Sequence, residues 1–246
     1  MALKPIVGFC SSKYIIDVYA SLYGVERNKV KSLGSIVTDD ILDKSLREKA
    51  KESFYKKFPE LVDKKLYLWC PTFRGSGANI HLNQIPNLEE ISHLLKKDEI
   101  LLCKFHPSIV DISTISSKLS NISNIIDVTK QDLFELLSVT SVFMTDYSST
   151  LHYAMLMKIP VAFLLNDYDN YSVDQGLLID IKDFCGPVLT NFNSKEILNI
   201  LRNPELPSSA KYKKFLMFHC EACVEGNCKR KIFEEIIMNI KSIINI

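Results

Sequence analysis

Three short polar clusters contain the side chains that proteins use to recognise phosphate, namely residues 71–77 (PTFRGSG), 104–107 (KFHP) and 145–150 (TDYSST). The Arg74 guanidinium is a planar group whose N–H bonds match two phosphate oxygens at once. The His106 imidazole is able to donate a proton to a leaving group near neutral pH. Together with Lys104 these residues predict a site for a polyanion, although each alone is equally typical of a solvated loop.

The third cluster places Asp146, Ser148 and Ser149 in a predicted turn between a buried strand and a helix. The first turn of a helix has unpaired N–H groups and a partial positive charge, and nearby hydroxyls supplement those donors around a phosphate. Asp and Ser are also ordinary N-caps, so a purely structural role stays open. The sequence has no Gly-x-Gly-x-x-Gly segment and no Walker-type loop, which disfavours ordinary dinucleotide and P-loop sites.

The elements that must position these clusters alternate between strands and helices. Continuous apolar runs predict strands at residues 66–70, 100–105, 124–128, 141–145, 161–165 and 187–190. Helical patterns predict helices at residues 88–97, 131–139, 149–157, 194–201 and 229–244. This order is typical of an α/β fold with a doubly wound parallel sheet. Ligands bind beyond the carboxyl ends of such strands, so we expect the three clusters to meet in one crevice.

Local signals refine this picture. Thr129, with Asp132 three residues later, is predicted to be the N-cap of the helix at 131–139. Ser194 is predicted to cap the helix at 194–201. Trp69 lies inside a predicted strand and is assigned to the core. The isolated cysteines are also interpreted as small core residues, namely Cys10, Cys70, Cys103 and Cys185.

Composition excludes several classes of protein. The 246 residues are 47% apolar, which is enough for a full core, and Lys plus Arg number 30 against 29 for Asp plus Glu. A nucleic-acid-binding protein normally carries a clear positive excess, so nucleic acid is not an expected partner. No apolar run reaches the roughly 18 residues of a membrane span, and the N-terminus does not resemble a signal peptide. Seven scattered cysteines fit a reducing compartment, so we expect a cytoplasmic protein.

Residues 44–65 form a highly charged segment, predicted to be helical up to Pro59, with eight basic and four acidic residues. It is typical of a solvated helix face, and the alternative is a patch that contacts anionic lipid or an anionic polymer. A second alternative concerns the segment from His219 to Cys228, in which one histidine and three cysteines have a spacing compatible with zinc. We predict no metal site there.

Several motifs resemble those of the CDP-glycerol glycerophosphotransferase family, which includes the teichoic acid polymerases and primases. They occur in the family's order: Ser11-Ser12, Gly34–Asp39 without the family's Pro-Arg, Pro71–Arg74 (PTFR), Lys104–Pro107 with Lys for the usual Arg, Thr145–Ser149 (TDYSS), Lys158–Pro160, Asp167–Tyr171, Gly186-Pro187 and Glu225–Arg230. The TDYSS segment is the most specific of these. The resemblance therefore extends over nearly the whole chain.

The resemblance implies a GT-B fold in which a C-terminal Rossmann-like domain holds a CDP-linked donor. The donor-binding residues that it implies are Thr72, Arg74, Lys104, His106, Asp146, Ser148, Ser149, Thr150 and Asp169. Among these, His106 and Arg74 would act on the departing CMP. Neither a metal nor a cofactor is implied, because fixed N–H groups and positive side chains neutralise the leaving group.

One family feature is absent: the acceptor domain's His-Gly segment, whose histidine acts as general base, has no match, and the first histidine is His81. We therefore predict that residues 1–65 form a partial acceptor-side segment with a linker helix, and that residues 66–246 form the donor-binding domain. A remnant acceptor domain leaves two alternatives to a complete polyol-phosphate transferase. One is a GT-B sugar transferase with a nucleotide-sugar donor, and the other is a non-catalytic nucleotide-binding subunit.

The implied partners are a CDP-glycerol-like donor and an acceptor that is an anionic polymer or a lipid-linked molecule of the wall or capsule. Peripheral contact with the inner face of the cell membrane, a homo-oligomer and a separate acceptor-domain partner all stay open at this stage.

Overall fold

The computed structural model describes residues 7–75, 81–82, 85–106, 109, 112–174, 177, 180 and 183–244. The strands are β1 (Gly8–Cys10), β2 (Val30–Ser32), β3 (Lys65–Cys70), β4 (Phe73–Arg74), β5 (His81–Leu82), β6 (Glu99–Cys103), β7 (Ile125–Asp127), β8 (Val142–Thr145), β9 (Val161–Leu164) and β10 (Val188–Leu189).

The α-helices are α1 (Ile16–Tyr23), α2 (Ile36–Leu42), α3 (Lys44–Lys57), α4 (Leu88–Leu94), α5 (Ile112–Leu119), α6 (Leu133–Val139), α7 (Thr150–Leu156), α8 (Tyr168–Asp174), α9 (Ser194–Arg202), α10 (Ala210–Cys220) and α11 (Cys228–Ile244). Within the described part of the chain, no helix is long and apolar enough to cross a bilayer.

Six of the described strands form one parallel sheet in the order β10-β9-β8-β3-β6-β7. From β3 the chain moves outward to β6 and β7, and then returns to β8 on the other side of β3. This reversal makes the sheet doubly wound and puts a crevice between the carboxyl ends of β3 and β8. All six strands predicted from apolar runs are confirmed, and so is the doubly wound parallel fold.

The sheet is buried on both faces, which is why its strands are continuously apolar. Leu66 and Leu68 of β3 belong to the core on one face, whereas Tyr67 and Trp69 belong to the core on the other. Trp69 is buried as predicted, and every cysteine is buried and unpaired.

The two predicted helix caps are wrong, the first by three residues and the second by one. The side chain of Asp132, not Thr129, caps α6 by accepting from the backbone N–H of Glu135. Thr129 instead accepts a hydrogen bond from the backbone N–H of Phe105. Asn193 caps α9, and the hydroxyl of Ser194 donates to Glu90. In both places a tertiary contact uses the hydroxyl that local sequence assigned to the helix end.

The N-terminal part of the chain, from β1 to α2, contains a small parallel sheet of β1 and β2 that is separate from the large sheet. The C-terminal helix α11 returns to this part, because the Asp39 carboxylate of α2 accepts from the backbone N–H groups of Cys228 and Lys229. Helix α3 packs on α6, with Phe54 fully buried in the core on one face of the large sheet. The charged segment at 44–65 therefore has one buried face, and its other face is solvated.

A buried ion pair lies at the amino end of β6, at the edge of the sheet opposite the carboxyl ends of the strands. Glu99, at the start of β6, pairs with Arg202 at 2.6 Å and accepts a hydrogen bond of 2.9 Å from the Tyr67 hydroxyl. The hydrogen bond from Arg202 lowers the pKa of Glu99 to about 2.

This ion pair predicts an acid-dependent loss of stability. Because the pKa of Glu99 is lowered by folding, its contribution is fully present above about pH 4.5 and is lost as the pH falls towards 2. Glutamine at this position cannot ionise. Between pH 4.5 and 2 we therefore expect the free energy of unfolding of Glu99→Gln to fall by about 3 kcal/mol less than that of the wild type. Urea denaturation at a series of pH values measures it, with Glu89→Gln on the exposed side of α4 as the matched control. If the free energy of unfolding of Glu99→Gln depended on pH as steeply as that of the wild type, Glu99 would not be the group responsible.

Candidate functional site

Asp146 directly follows β8 at the chain reversal and is buried. Its carboxylate accepts from the backbone N–H of Thr72 at 2.9 and 3.0 Å and also from the Thr72 hydroxyl. The backbone N–H of Tyr147 donates to it at 2.7 Å. Burial raises the pKa of Asp146, and the hydrogen bonds from Thr72 and the charge of Arg74 oppose that rise. Asp146 therefore joins the loop after β3 to the loop after β8.

Arg74 extends the same network to a third strand end. Its Nε and Nη2 donate to the two carboxylate oxygens of Asp167, after β9, at 2.7 and 3.0 Å. Nη2 also donates to Asp146 at 3.1 Å, and Nη1 donates to the carbonyls of Thr72 and Phe73. Burial disfavours the guanidinium charge, but the two carboxylates outweigh it and raise the pKa of Arg74. The Arg74 donors are thus directed at the protein itself.

Two tyrosines cover this ion network. The rings of Tyr147 and Tyr171 stack with centroids 3.8 Å apart and planes 9° from parallel. The guanidinium carbon of Arg74 lies 5.2 Å from the Tyr147 centroid and 4.7 Å from that of Tyr171. Cation–π attraction and exclusion of water both strengthen the ion pairs beneath the rings.

The end of β6 contributes the second predicted cluster. The Lys104 ammonium donates to the carbonyls of Thr129 and Gln131 at 2.9 and 2.7 Å, and burial lowers the pKa of Lys104. His106 is exposed, and its ring centroid lies 4.7 Å from that of Phe73, next to Arg74 on the neighbouring strand end. Lys104 consequently fixes the loop before α6, while the exposed His106 lies beside Phe73.

The hydroxyls after Tyr147 lie at the start of α7. Ser148 donates to the Thr150 hydroxyl at 3.0 Å and accepts from the Thr150 backbone N–H at 3.3 Å. Ser149 is exposed at the N-cap position, where its side chain makes no capping hydrogen bond. These side chains lie on the same strand end as Asp146, but outside the ion network.

The structure thus brings Thr72, Arg74 and Asp146 into one hydrogen-bonded network. Asp169 is exposed in α8 and is not part of it; the carboxylate that Arg74 binds belongs to Asp167. The signal for Asp167 was present, because it follows the end of a predicted strand. Ser76, Gly77 and Pro107 lie outside the described residues.

The zinc alternative has no geometric support among the residues that the structure describes. In that part of the chain, no group of three or more His, Cys, Asp or Glu side chains is arranged to hold a metal ion. Cys223 and Cys228 pack against the backbone of Gly34 instead.

Comparisons of the sequence with those of known proteins identify a family that matches most of this chain. The sequence model of a family described as CDP-Glycerol:Poly(glycerophosphate) glycerophosphotransferase matches residues 8–238. The teichoic acid poly(ribitol-phosphate) polymerase of Bacillus spizizenii is 30% identical over 232 residues, 92% of this chain and 36% of that protein. The teichoic acid glycerol-phosphate primase of Bacillus subtilis is 26% identical over 197 residues, 78% of this chain and 48% of the primase.

The fold has a solved counterpart. A structure of a variant of the wall teichoic acid polymerase TagF, soaked with CDPG, superposes with a TM-score of 0.73 at 20% identity and covers 97% of this chain and 57% of that one. This likeness confirms the GT-B type of fold that the motifs implied. The chain spans roughly a third to a half of the length of the two curated relatives, at 36% and 48%.

The ion network predicts that two neighbouring aspartates respond differently to the same substitution. Asp167→Asn replaces the charged, two-oxygen partner of Arg74 by a neutral amide while Asp146 still pairs with Arg74, so we expect the free energy of unfolding to fall by about 2 kcal/mol. Asp169→Asn, two residues away and exposed, is the matched control and is expected to change it by less than about 0.5 kcal/mol. Urea denaturation at pH 7 measures both, and equal effects would show that Asp167 does not stabilise the crevice.

Proposed function

Because the chain belongs to the CDP-glycerol:poly(glycerophosphate) glycerophosphotransferase family, we propose that its crevice binds a CDP-linked polyol donor. The proposed reaction transfers a glycerol-phosphate or related polyol-phosphate unit to a polymer of the cell wall or capsule. The acceptor hydroxyl oxygen forms a bond to the phosphorus that carries the polyol, and its O–H bond breaks to release a proton to the solvent. The bond from that phosphorus to the bridging oxygen breaks, and CMP leaves with that oxygen.

The observation that carries this proposal is the network of Asp146, Arg74 and Asp167 at the chain reversal. It ties together the loops after β3, β8 and β9, which are the loops that border the ligand crevice of a doubly wound sheet. A crevice whose walls are already fixed loses little conformational entropy when a ligand binds. The matched region, residues 8–238, includes all three loops, and TagF with CDPG has the same fold.

The proposal assigns the donor contacts to groups that the network leaves accessible. These are the hydroxyls of Ser148, Ser149 and Thr150 and the exposed imidazole of His106. Hydroxyl groups donate to phosphate oxygens, and a protonated His106 assists CMP by donating to the bridging oxygen.

The remaining predicted site residues receive a positioning role. Thr72, Arg74 and Lys104 hold the loops through hydrogen bonds to protein groups. Asp169 stays a predicted donor contact, since it lies at the exposed start of α8.

The acceptor side is assigned to the N-terminal part, with β1, β2, α1 and α2. An anionic polymer and a lipid-linked acceptor both fit the family's chemistry. The basic solvated face of α3 is the proposed contact with anionic lipid or polymer, since Lys49, Lys51 and Lys56 are exposed there. A separate acceptor-domain chain and a homo-oligomer stay predictions.

Binding of the donor is testable through the two serines. We expect Ser148→Ala and Ser149→Ala each to weaken CDP-glycerol binding about tenfold, because each removes one hydrogen bond to a charged oxygen worth roughly 1.5 kcal/mol. Isothermal titration calorimetry measures the affinity, with Ser120→Ala, at an exposed serine just after α5, as the control. Unchanged affinity in both variants would remove these hydroxyls from the site.

The role of His106 is testable through the released nucleotide. We expect His106→Asn to lower turnover about 100-fold or more while changing donor affinity less than threefold, because its proton is needed only as CMP leaves. Chromatography of the released nucleotide after incubation with CDP-glycerol and acceptor measures both rate and product. CMP identifies polyol-phosphate transfer, and a nucleoside diphosphate would identify a sugar transferase. Donor binding without any turnover would favour the non-catalytic alternative.

A further inference from the structure

A second cavity, of about 650 Å³, lies between the N-terminal part and α7. On one side it is lined by Ser11, just after β1, and by Ser35 at the start of α2. On the other side it is lined by one face of α7, with Ser149, His152 and Tyr153. The carboxyl ends of β1 and β2 therefore face the same space as α7. Ser149 is common to this cavity and to the proposed donor site.

One wall of this cavity is fixed by a glycine. Gly34 has a φ of +87°, and a Cβ built there would lie 2.3 Å from the Cys228 sulfur and 3.2 Å from the Cys223 sulfur. Its backbone N–H donates to the Cys10 carbonyl at 2.9 Å, which holds the loop before α2 against the end of β1. The shape of the cavity thus depends on close packing and not on a loosely placed loop.

The chemistry of the lining selects against an anion. None of the described residues that line the cavity is Asp, Glu, Lys or Arg. A phosphate would meet no compensating charge there, and burying an unpaired charge is strongly unfavourable. The lining instead combines hydroxyl groups and aromatic rings, as at Tyr19 and Tyr23, with aliphatic side chains such as that of Leu156. Hydroxyl groups and ring faces together suit a neutral molecule that carries many hydroxyls and short C–H surfaces.

Two neighbouring histidines lie at this side of the cavity, and one of them forms part of its wall. His152 lines the cavity, and its ring packs on that of His219 with centroids 4.9 Å apart. Burial lowers the pKa of both imidazoles to about 4, so both are neutral at pH 7. Within the described part of the chain, the buried Nε2 of His219 has no hydrogen-bond partner. His219 does not line the cavity, so the imidazole that a ligand there contacts is that of His152.

We propose that this cavity binds the uncharged polyol or sugar end of the acceptor, with His152 accepting a hydrogen bond from one of its hydroxyls. The inference rests on the proposed function, because it supplies the second substrate of that reaction. Ser149 borders both sites, so an acceptor hydroxyl held here lies beside the donor. A volume of about 650 Å³ is in the range of small-molecule sites, which is roughly 300–1,000 Å³.

The test uses the full chain and ribitol as a neutral probe, observed by saturation-transfer NMR. Two variants change the cavity: His152→Phe keeps an aromatic ring but removes the nitrogens, and Ile36→Trp fills the mouth from an exposed lining position. Leu206→Trp is the matched control, since Ile36 and Leu206 are both 54% exposed and Leu206 lies outside the cavity. Circular dichroism verifies that each variant is folded.

We expect saturable ribitol binding that weakens at least tenfold in His152→Phe and in Ile36→Trp and is unchanged in Leu206→Trp. CDP-glycerol affinity, measured separately, is expected to stay within twofold in all three variants. Ribitol affinity that is absent, or equal in wild type and both cavity variants, would overturn the site. Displacement of ribitol by CDP-glycerol would assign the cavity to the donor's own polyol and would also overturn it. Failure of wild type to bind CDP-glycerol would contradict the proposed function instead.

Discussion

The salt-bridged Arg74 is the constraint on which the crevice depends. A half-buried guanidinium must be paired, and here two carboxylates from different strand ends pair it. The loops after β3, β8 and β9 are consequently joined through one side chain, and the Tyr147–Tyr171 stack shields that junction from water. The loops that border the crevice are therefore already ordered in the folded protein, before any ligand binds. Groups that are not used in this network are the ones that remain for a ligand.

Much of the fold was predictable because a parallel sheet covered on both faces leaves a simple sequence pattern. All six strands of the large sheet appear as apolar runs, and strand-end positions identified Thr72, Arg74 and Asp146. The caps at Thr129 and Ser194 were misplaced, since those hydroxyls are used by tertiary contacts. Five helices were not predicted, namely α1, α2, α5, α8 and α10. All of them except α10 have only seven or eight residues, which is too short for a helical period to stand out in the sequence.

The chemical role of each site residue was less predictable than its position. Sequence indicates that Arg74 is suited to phosphate, but it does not reveal that two carboxylates already bind it. The pairing of Arg74 with Asp167 is hidden for the same reason, since a contact across 93 positions in the chain is a tertiary property. The cavity beside α7 had no sequence signal, because its lining is gathered from distant segments that include Ser11, Ser35 and His152.

The central claim is that a CDP-linked donor occupies the crevice between the carboxyl ends of β3 and β8. Amide chemical-shift mapping of the isotope-labelled chain during a CDP-glycerol titration tests it most directly. The account predicts saturable shifts concentrated in residues 72–74, 104–106 and 146–150, with little change in α4, α5 and α9. Shifts that are absent at saturating donor, or that cluster on another face of the sheet, would contradict it.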